Sequence, residues 1–356
     1  MGLRMSPTGD CAAFAFRDTT VSIGEVVRAA QFRDELRPSV SEVAWGIACE
    51  DEAARWNLET DDSAVEEMVD RFRYENDLIS AEEAEAWLDA RGLTQDEFRD
   101  YFNRRYWRET LREKVIPERV DPSRVVPELL GLLQIELVIS GAFVPIAVGL
   151  SRRLVARAAA EAPAGAKLVK AERARFLERS GLEPGGLAGW LKSLDRSQDW
   201  LEGMLEMEAS YRLRCGAVLT PERLSRELAA ARLPLTRLEV ETVEFDSADA
   251  AREALLCVRD DGLSLEEVAR ESRYPFKRIE VLAEELPEDQ RQKLLCAGIG
   301  EIQEPAQAGG AFQLSRVLGK AEPALGDALV RGRVEQRILN TYFSEAGAKD
   351  IRWFIR

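Results

Sequence analysis

The sequence predicts an α+β protein: a mainly helical body, duplicated in part, followed by a C-terminal mixed-sheet α/β domain. Three observations predict it. Apolar residues recur every three or four positions from about Glu25 to Val115. An aromatic pattern in that stretch returns about a hundred residues later. From Leu235 the character changes to alternating, β-branched sequence, LTRLEVETVEF.

Taken in order, Ala13 to Arg17 is a short apolar strand, Asp18 and Thr19 suit a turn, and Val21 and Ile23 begin a second strand running into a helix at Ile23-Gly24-Glu25. Val40, Val43, Ala44, Ile47 and Ala48 form one helical stripe, and Pro38 and Ser39 mark its start. Asp61, Asp62 and Ser63 cap the next helix. Ser80 with Glu83 and Thr94 with Glu97 are capping boxes, in which each side chain satisfies a free backbone N–H of the first turn. Tyr101, Phe102, Tyr106 and Trp107 cover too much of one helix to be wholly buried, so part of the set is expected to meet another domain or a peptide.

The echo is RFRYENDLISAEEAEAWLDARGLTQDEF from Arg71 against RFLERSGLEPGGLAGWLKSLDRSQDWL from Arg175. Phe72 and Phe176 are 104 apart, as are Leu78 and Leu182, while Trp87-Leu88 and Trp190-Leu191 are 103 apart. Anchors that keep register within one residue suggest a duplicated helical unit, the alternative being coincidence, since helical segments rich in Leu and Glu align easily. Between the copies lies LLGLLQIELVISGAFVPIAVGL, Leu129 to Leu150. Gln134, Glu136, Gly141 and Pro145 interrupt it, so it reads as two short buried helices with a turn near Ser140-Gly141 and not as a membrane span.

Beyond Leu235 the order is β-α-α-β-α-β. Because Leu238 and Val240 have one parity and Val243 and Phe245 the other, a bulge or kink near Glu241-Thr242 is expected. Ser247 to Arg259 is a helix stopped by Gly262, and Ser264 with Glu267 caps a short one. Lys277 to Ala283 is a strand, Pro287 to Cys296 a helix, Gly309-Gly310 a turn and Ala311 to Leu318 the closing strand. A helix from Leu325 to Phe343 and an apolar strand, Asp350 to Ile355, end the sequence. That strand needs burial, and it is expected to pair with the N-terminal strands. The segmentation is 1–120, N-terminal strands and first helical unit; 121–235, second helical unit; 236–320, α/β domain; 321–356, the returning helix and strand.

Composition narrows function. The 356 residues carry a formal charge of -15, which excludes the basic face of a nucleic-acid binder. There are no histidines, which removes Ser-His-Asp triads, Cys-His dyads and nearly all zinc enzymes. The five cysteines are scattered without CxxC spacing and read as reduced thiols, with Cys257 and Cys296 as buried filler. MGLRMSPTGDCAAFAF has no apolar signal core, so a cytoplasmic protein is expected. Glu284-Glu285 and Glu288-Asp289 read as a solvated acidic surface, and Gly309-Gly310 is not a phosphate loop, since no helix start and no lysine follow.

The runs FDSADAAREALLCVRDDGLSLEEVARES and LPEDQRQKLLCAGIGEIQEPAQAGGAFQLSRV resemble the two halves of the parvulin-type peptidyl-prolyl isomerase signature, covering most of residues 236 to 320. The flanking strands and helices resemble SurA- and PrsA-like foldases. A weaker resemblance is to cytosolic parvulin-related proteins that serve modification of ribosomally made peptides. The resemblance implies an extended or proline-containing peptide, or unfolded protein, as partner, with no cofactor, no metal, no nucleic acid and no membrane. It places Phe312, Gln313 and Leu314 at the proline pocket, with Phe276 and Val243 beside it. The residues alone leave a second reading open, ordinary strand core for one parity and solvent face for the other. Family histidines in the first and last strands are replaced here by Glu241-Thr242-Val243 and Gln313, so no catalytic residue carries over. Two functions follow: a peptide-binding chaperone or maturation accessory protein, or an active parvulin-type isomerase.

Overall fold

A computed structural model describes residues 7–115, 127–308 and 310–355. It divides into two compact units, one of Met1–Gly216 with Phe343–Arg356 and one of Ala217–Tyr342. These cuts fall elsewhere than the sequence segments. Residues 217–235 and 321–342 go with the α/β sheet because Leu224, Ala231, Leu235, Leu282, Val330 and Val334 share one core.

In the first unit, β1 (Ala12–Phe16) and β2 (Thr19–Ser22) form a hairpin whose turn holds Arg17 at φ 52°. On the other side of β1 lies β7 (Ile351–Trp353), giving an antiparallel sheet of order β2-β1-β7. The two ends of the chain thus meet in one sheet. Phe14, fully buried, lies 5.1 Å from the Trp353 ring.

Ser22 closes a capping box with Glu25 at the start of α1 (Ile23–Arg33). This helix is buried nearly all round, as a central core helix must be when apolar residues occupy most of its circumference. Gly24 is required there: a Cβ would stand 2.9 Å from the Gly9 carbonyl oxygen. There follow α2 (Arg37–Arg55), α3 (Asp62–Glu75), α4 (Ala81–Asp89), α5 (Gln95–Leu111), α6 (Pro127–Ile139), α7 (Phe143–Ala158), α8 (Ala166–Ser180), α9 (Leu187–Ser193) and α10 (Gln198–Val218). The capping boxes at Ser80 and Thr94 are both formed. Helices α6 and α7 bend by 96° at the Ser140-Gly141 break, and no single helix among the described residues is long and apolar enough to cross a membrane.

The aromatic set on α5 is more buried than its spread around the helix implied. Tyr101, Phe102 and Trp107 are all within the core, because two separate apolar clusters pack on different sides of this helix.

The sequence echo is a structural one. Phe72 meets Trp87 edge-on at 5.3 Å, and Phe176 meets Trp190 at 5.0 Å. Helices α3 and α8 end in the same turn. The Leu78 N–H donates to the Arg73 carbonyl (2.8 Å) over Asp77 at φ 56°, and the Leu182 N–H donates to the Leu177 carbonyl (3.2 Å) over Gly181 at φ 63°. Helices α4 and α9 repeat the device, with Gly92 at φ 62° and Asp195 at φ 53°. In both copies a hydroxyl then caps the third helix: Thr94 accepts from the Glu97 N–H at 3.1 Å, and Ser197 from the Trp200 N–H at 3.3 Å.

These left-handed positions yield a prediction. Gly181 has open space around its absent Cβ, so Gly181→Ala changes only backbone strain and should lower stability by about 1 kcal/mol. Asp77→Gly at the equivalent position should raise it by a few tenths. Denaturant midpoints of the two variants check both signs.

The second unit begins with α11 (Pro221–Ala230), capped by Thr220. There follow β3 (Arg237–Phe245), α12 (Ala248–Arg259), α13 (Leu265–Ser272), β4 (Phe276–Leu282), α14 (Glu288–Cys296), β5 (Ala306–Ala308), β6 (Ala311–Ala321) and α15 (Ala328–Gly347). The sheet has order β4-β3-β6-β5 and every described pairing is antiparallel. The mixed sheet expected from the sequence is therefore corrected. One crossover helix would bring β4 in parallel to β3, but α13 carries the chain back to the end where β3 finished, so that Phe276 opens β4 opposite Val243.

The bulge or kink expected near Glu241-Thr242 is present as a bulge two residues earlier, though the change of parity has a second cause. Both parities of β3 are buried because both faces of the sheet are covered. Val243, Phe245 and Leu314 pack with α12 and α13, while Leu238, Val240 and Val317 pack with Leu294 and Ala297 at α14. The register shift sits between Glu239 and Val240, where β6 carries one extra residue, Leu318.

Candidate functional site

The α/β sheet sorts the expected pocket residues by parity. Val243 and Leu314 are cross-strand neighbours with no exposed surface, sealed under α12 and α13. Phe276, also opposite Val243, and Phe312, opposite Phe245, lie half-buried at the rim of the same core. Four of the five residues thus come together, but as core and rim. Gln313 faces the other side, which separates it from them.

That other side carries a polar row. Thr242 and Ser315 are paired across β3 and β6, both more than nine-tenths buried, and Glu244 is paired with Gln313. The Gln290 side-chain amide, from α14, donates to the Gln313 carbonyl oxygen. Lys277 of β4 reaches Glu244 at 2.9 Å. The face therefore presents two amides, two hydroxyls and an ion pair, and beside it β5 pairs with β6 through Ala306 and Gln313 at the sheet edge. Thr242, Ser315, Gln290 and Lys277 were not among the expected pocket residues. Strand parity was the signal for the first two, since residues two apart share a face, and Gln313 plus two is Ser315. Nothing local in the sequence tied Gln290 or Lys277 to them.

Charged pairs on the opposite face hold the register. Arg316 gives both Nε (3.1 Å) and Nη2 (2.6 Å) to one Glu241 oxygen, and Arg278 lies 2.6 Å from Glu239. The Tyr274 ring lies tilted against Phe245, centroids 4.8 Å apart, and its hydroxyl donates to Asp246, a hydrogen bond that raises its phenol above the usual range. Two smaller expectations change. Cys296, taken as buried filler, is exposed as the last residue of α14. Glu284 and Glu285 are not simply solvated: Arg337 lies 2.6 Å from Glu284 and Arg333 lies 2.7 Å from Glu285, both arginines on α15. Among the described residues no group of three or more acidic or cysteine side chains could hold a metal ion.

No protein-family profile and no curated protein sequence matches the chain. Solved structures do. A peptidylprolyl isomerase (PrsA) from Bacillus cereus is 12% identical, over 57% of this chain and 79% of its own, with a TM-score of 0.36. The foldase protein PrsA from Lactococcus lactis is 12% identical over 95% and 91% of the two chains, with a TM-score of 0.27. A SurA-like chaperone of Campylobacter jejuni is 9% identical over 60% and 88%, with a TM-score of 0.24. The fold described above rests on the chain's own strand order and register.

Proposed function

We propose that this chain is a peptide-binding chaperone of the foldase kind, gripping an extended or proline-containing segment on the α14 face of its larger sheet. The observation that carries the proposal is the row Thr242, Ser315 and Gln313, flanked by Gln290. Amides and hydroxyls match the donors and acceptors of a peptide backbone. Apart from the short edge strand β5, the order strand-helix-helix-strand-helix-strand is the one that the parvulin resemblance implies, yet the chain has no imidazole to place on this face. Rotation about an Xaa-Pro bond faces a barrier of roughly 18–20 kcal/mol and needs no covalent step, so it is lowered only by groups that hold the twisted amide better than the planar one. Gln313, held by its hydrogen bond to Gln290, is better suited to holding a ground-state peptide.

Titration of a fluorescent proline-containing peptide, beside a protease-coupled isomerisation assay, tests this. Binding should weaken roughly three- to tenfold in Gln313→Ala combined with Thr242→Val, consistent with loss of one or two hydrogen bonds. Isomerisation should stay near the uncatalysed rate. A rate like that of ordinary parvulins would make the protein an enzyme, and unchanged binding in the double variant would move the site off this face.

A further inference from the structure

The duplication supplies an internal control that the proposed function does not use. Residues 62–92 and 166–195 are the two copies of the helical hairpin α3-α4 and α8-α9. The first contains ten acidic and three basic residues, the second four acidic and six basic. The copies share turns and aromatic anchors but carry net charges of -7 and +2. All ten acidic side chains of the first copy are on exposed residues, and among the described residues only Asp62 of the ten is in an ion pair, with Arg99.

The contrast extends to apolar surface. Tyr74 is 77% and Ile79 67% exposed, on either side of the left-handed turn at Asp77. Their counterparts 104 residues on are Glu178 and Glu183, side chains at home in water. The fold of the hairpin therefore does not require apolar residues at these two places. Arg73 fixes the turn by donating to the Leu78 and Ile79 carbonyls at 3.2 and 3.1 Å. Along α3, Asp62, Glu66, Asp70 and Tyr74 fall four apart, on one helical row, where the second copy has Ala166, Lys170, Ala174 and Glu178.

An exposed apolar pair at the end of a carboxylate row is complementary to a chain that offers the reverse. We infer that the α3-α4 turn is a docking surface for a cationic segment of client polypeptide, with an apolar or aromatic side chain against Tyr74 and Ile79 and lysines or arginines along α3 and α4. The charge chooses this occupant over a second copy of the chain, because two such surfaces repel. The inference deepens the chaperone reading and rests on it: it names the client class and a second point of contact.

The probes are two fluorescein-labelled peptides, one alternating lysine and leucine and one with glutamate for lysine, titrated into the full chain. The lysine peptide should bind at least about tenfold more tightly at low salt, and the difference should shrink several-fold toward 0.3 M salt as screening sets in. Tyr74→Ser with Ile79→Ser should cost the lysine peptide about tenfold. Glu66→Lys with Asp70→Ala, which install the second copy's residues, should remove most of its salt dependence. Both variants change exposed positions, and circular dichroism confirms their folding. The proline-containing peptide on the α14 face should be unaffected by either. Equal binding of the two peptides, or no effect of either variant, overturns the docking surface and leaves the α14 reading standing. Failure of every peptide to bind overturns both. Self-association that disappears in Tyr74→Ser with Ile79→Ser would assign the patch to a second copy and overturn the client assignment.

Discussion

Deleting residues 350–356 is expected to destabilise the first unit by at least about 4 kcal/mol while leaving the larger sheet folded. The truncation removes all of β7. Ile355 is 4% exposed, and the Trp353 ring covers Phe14, so the loss includes two large apolar side chains and uncovers a third. It also removes the β1-β7 ladder, in which Phe14, Ala15 and Phe16 face Trp353, Arg352 and Ile351, and the backbone hydrogen bonds that flank it: from the Arg17 N–H to the Asp350 carbonyl at 2.7 Å, and from the Phe354 and Ile355 N–H groups to the Ala13 carbonyl at 3.0 and 3.2 Å. What remains is the β1-β2 hairpin alone, and an isolated two-stranded ribbon is marginal in water. Hydrogen exchange reads the two units separately. Protection should fall at Phe14, Ala15 and Phe16 and persist at Val240 to Phe245. An unchanged melting profile, with β1 still protected, would show that β7 contributes nothing to holding the N-terminal sheet.

Local chemistry made much of this fold legible. Ser22, Ser80, Thr94, Thr220, Ser247 and Ser264 all cap helices, because a hydroxyl three residues ahead of a free backbone N–H satisfies it whatever the surrounding tertiary structure. The duplication was legible for a related reason, since Phe72, Trp87, Phe176 and Trp190 are large enough to mark register on their own. What failed depended on direction through space. Composition does not say that α13 reverses the chain before β4, so the sheet was read as mixed. The two parities of β3 were read as a bulge or kink; the bulge lies just ahead, between Glu239 and Val240, but both parities are apolar because the strand is covered on both faces. The site suffered most from this. Phe312, Gln313 and Leu314 are consecutive, so they could not share one face of a strand. Reading Gln313 with Ser315 and Thr242, and not with its apolar neighbours, would have placed the polar row.

The second large effect is expected in the repeated aromatic pairs. Phe176 is 1% exposed and stacks on Phe32 at 4.8 Å in addition to meeting Trp190. Phe72 is 8% exposed and touches Trp87, Phe98 and Phe102, with ring centroids between 5.3 and 5.6 Å. Truncating a buried phenylalanine leaves a cavity as well as losing transfer energy, so Phe176→Ala should cost about 4 kcal/mol and Phe72→Ala about 3. The difference follows from Phe32, which sits on the central helix α1 and has no counterpart among the ring contacts of Phe72. The Phe-Trp coupling itself should be alike in the two copies. Double-mutant cycles of Phe72 with Trp87 and of Phe176 with Trp190, each to leucine, should both give about 0.5–1.5 kcal/mol, the range for an aromatic pair beyond its buried area. Leucine keeps most of the volume, so the cycle reads ring geometry more than cavity collapse. A coupling in one copy and none in the other would mean that the shared spacing does not reflect a shared packing motif. The use of the first copy as a variant of the second, on which the charge and exposure contrast at Tyr74 and Ile79 depends, would fall with it.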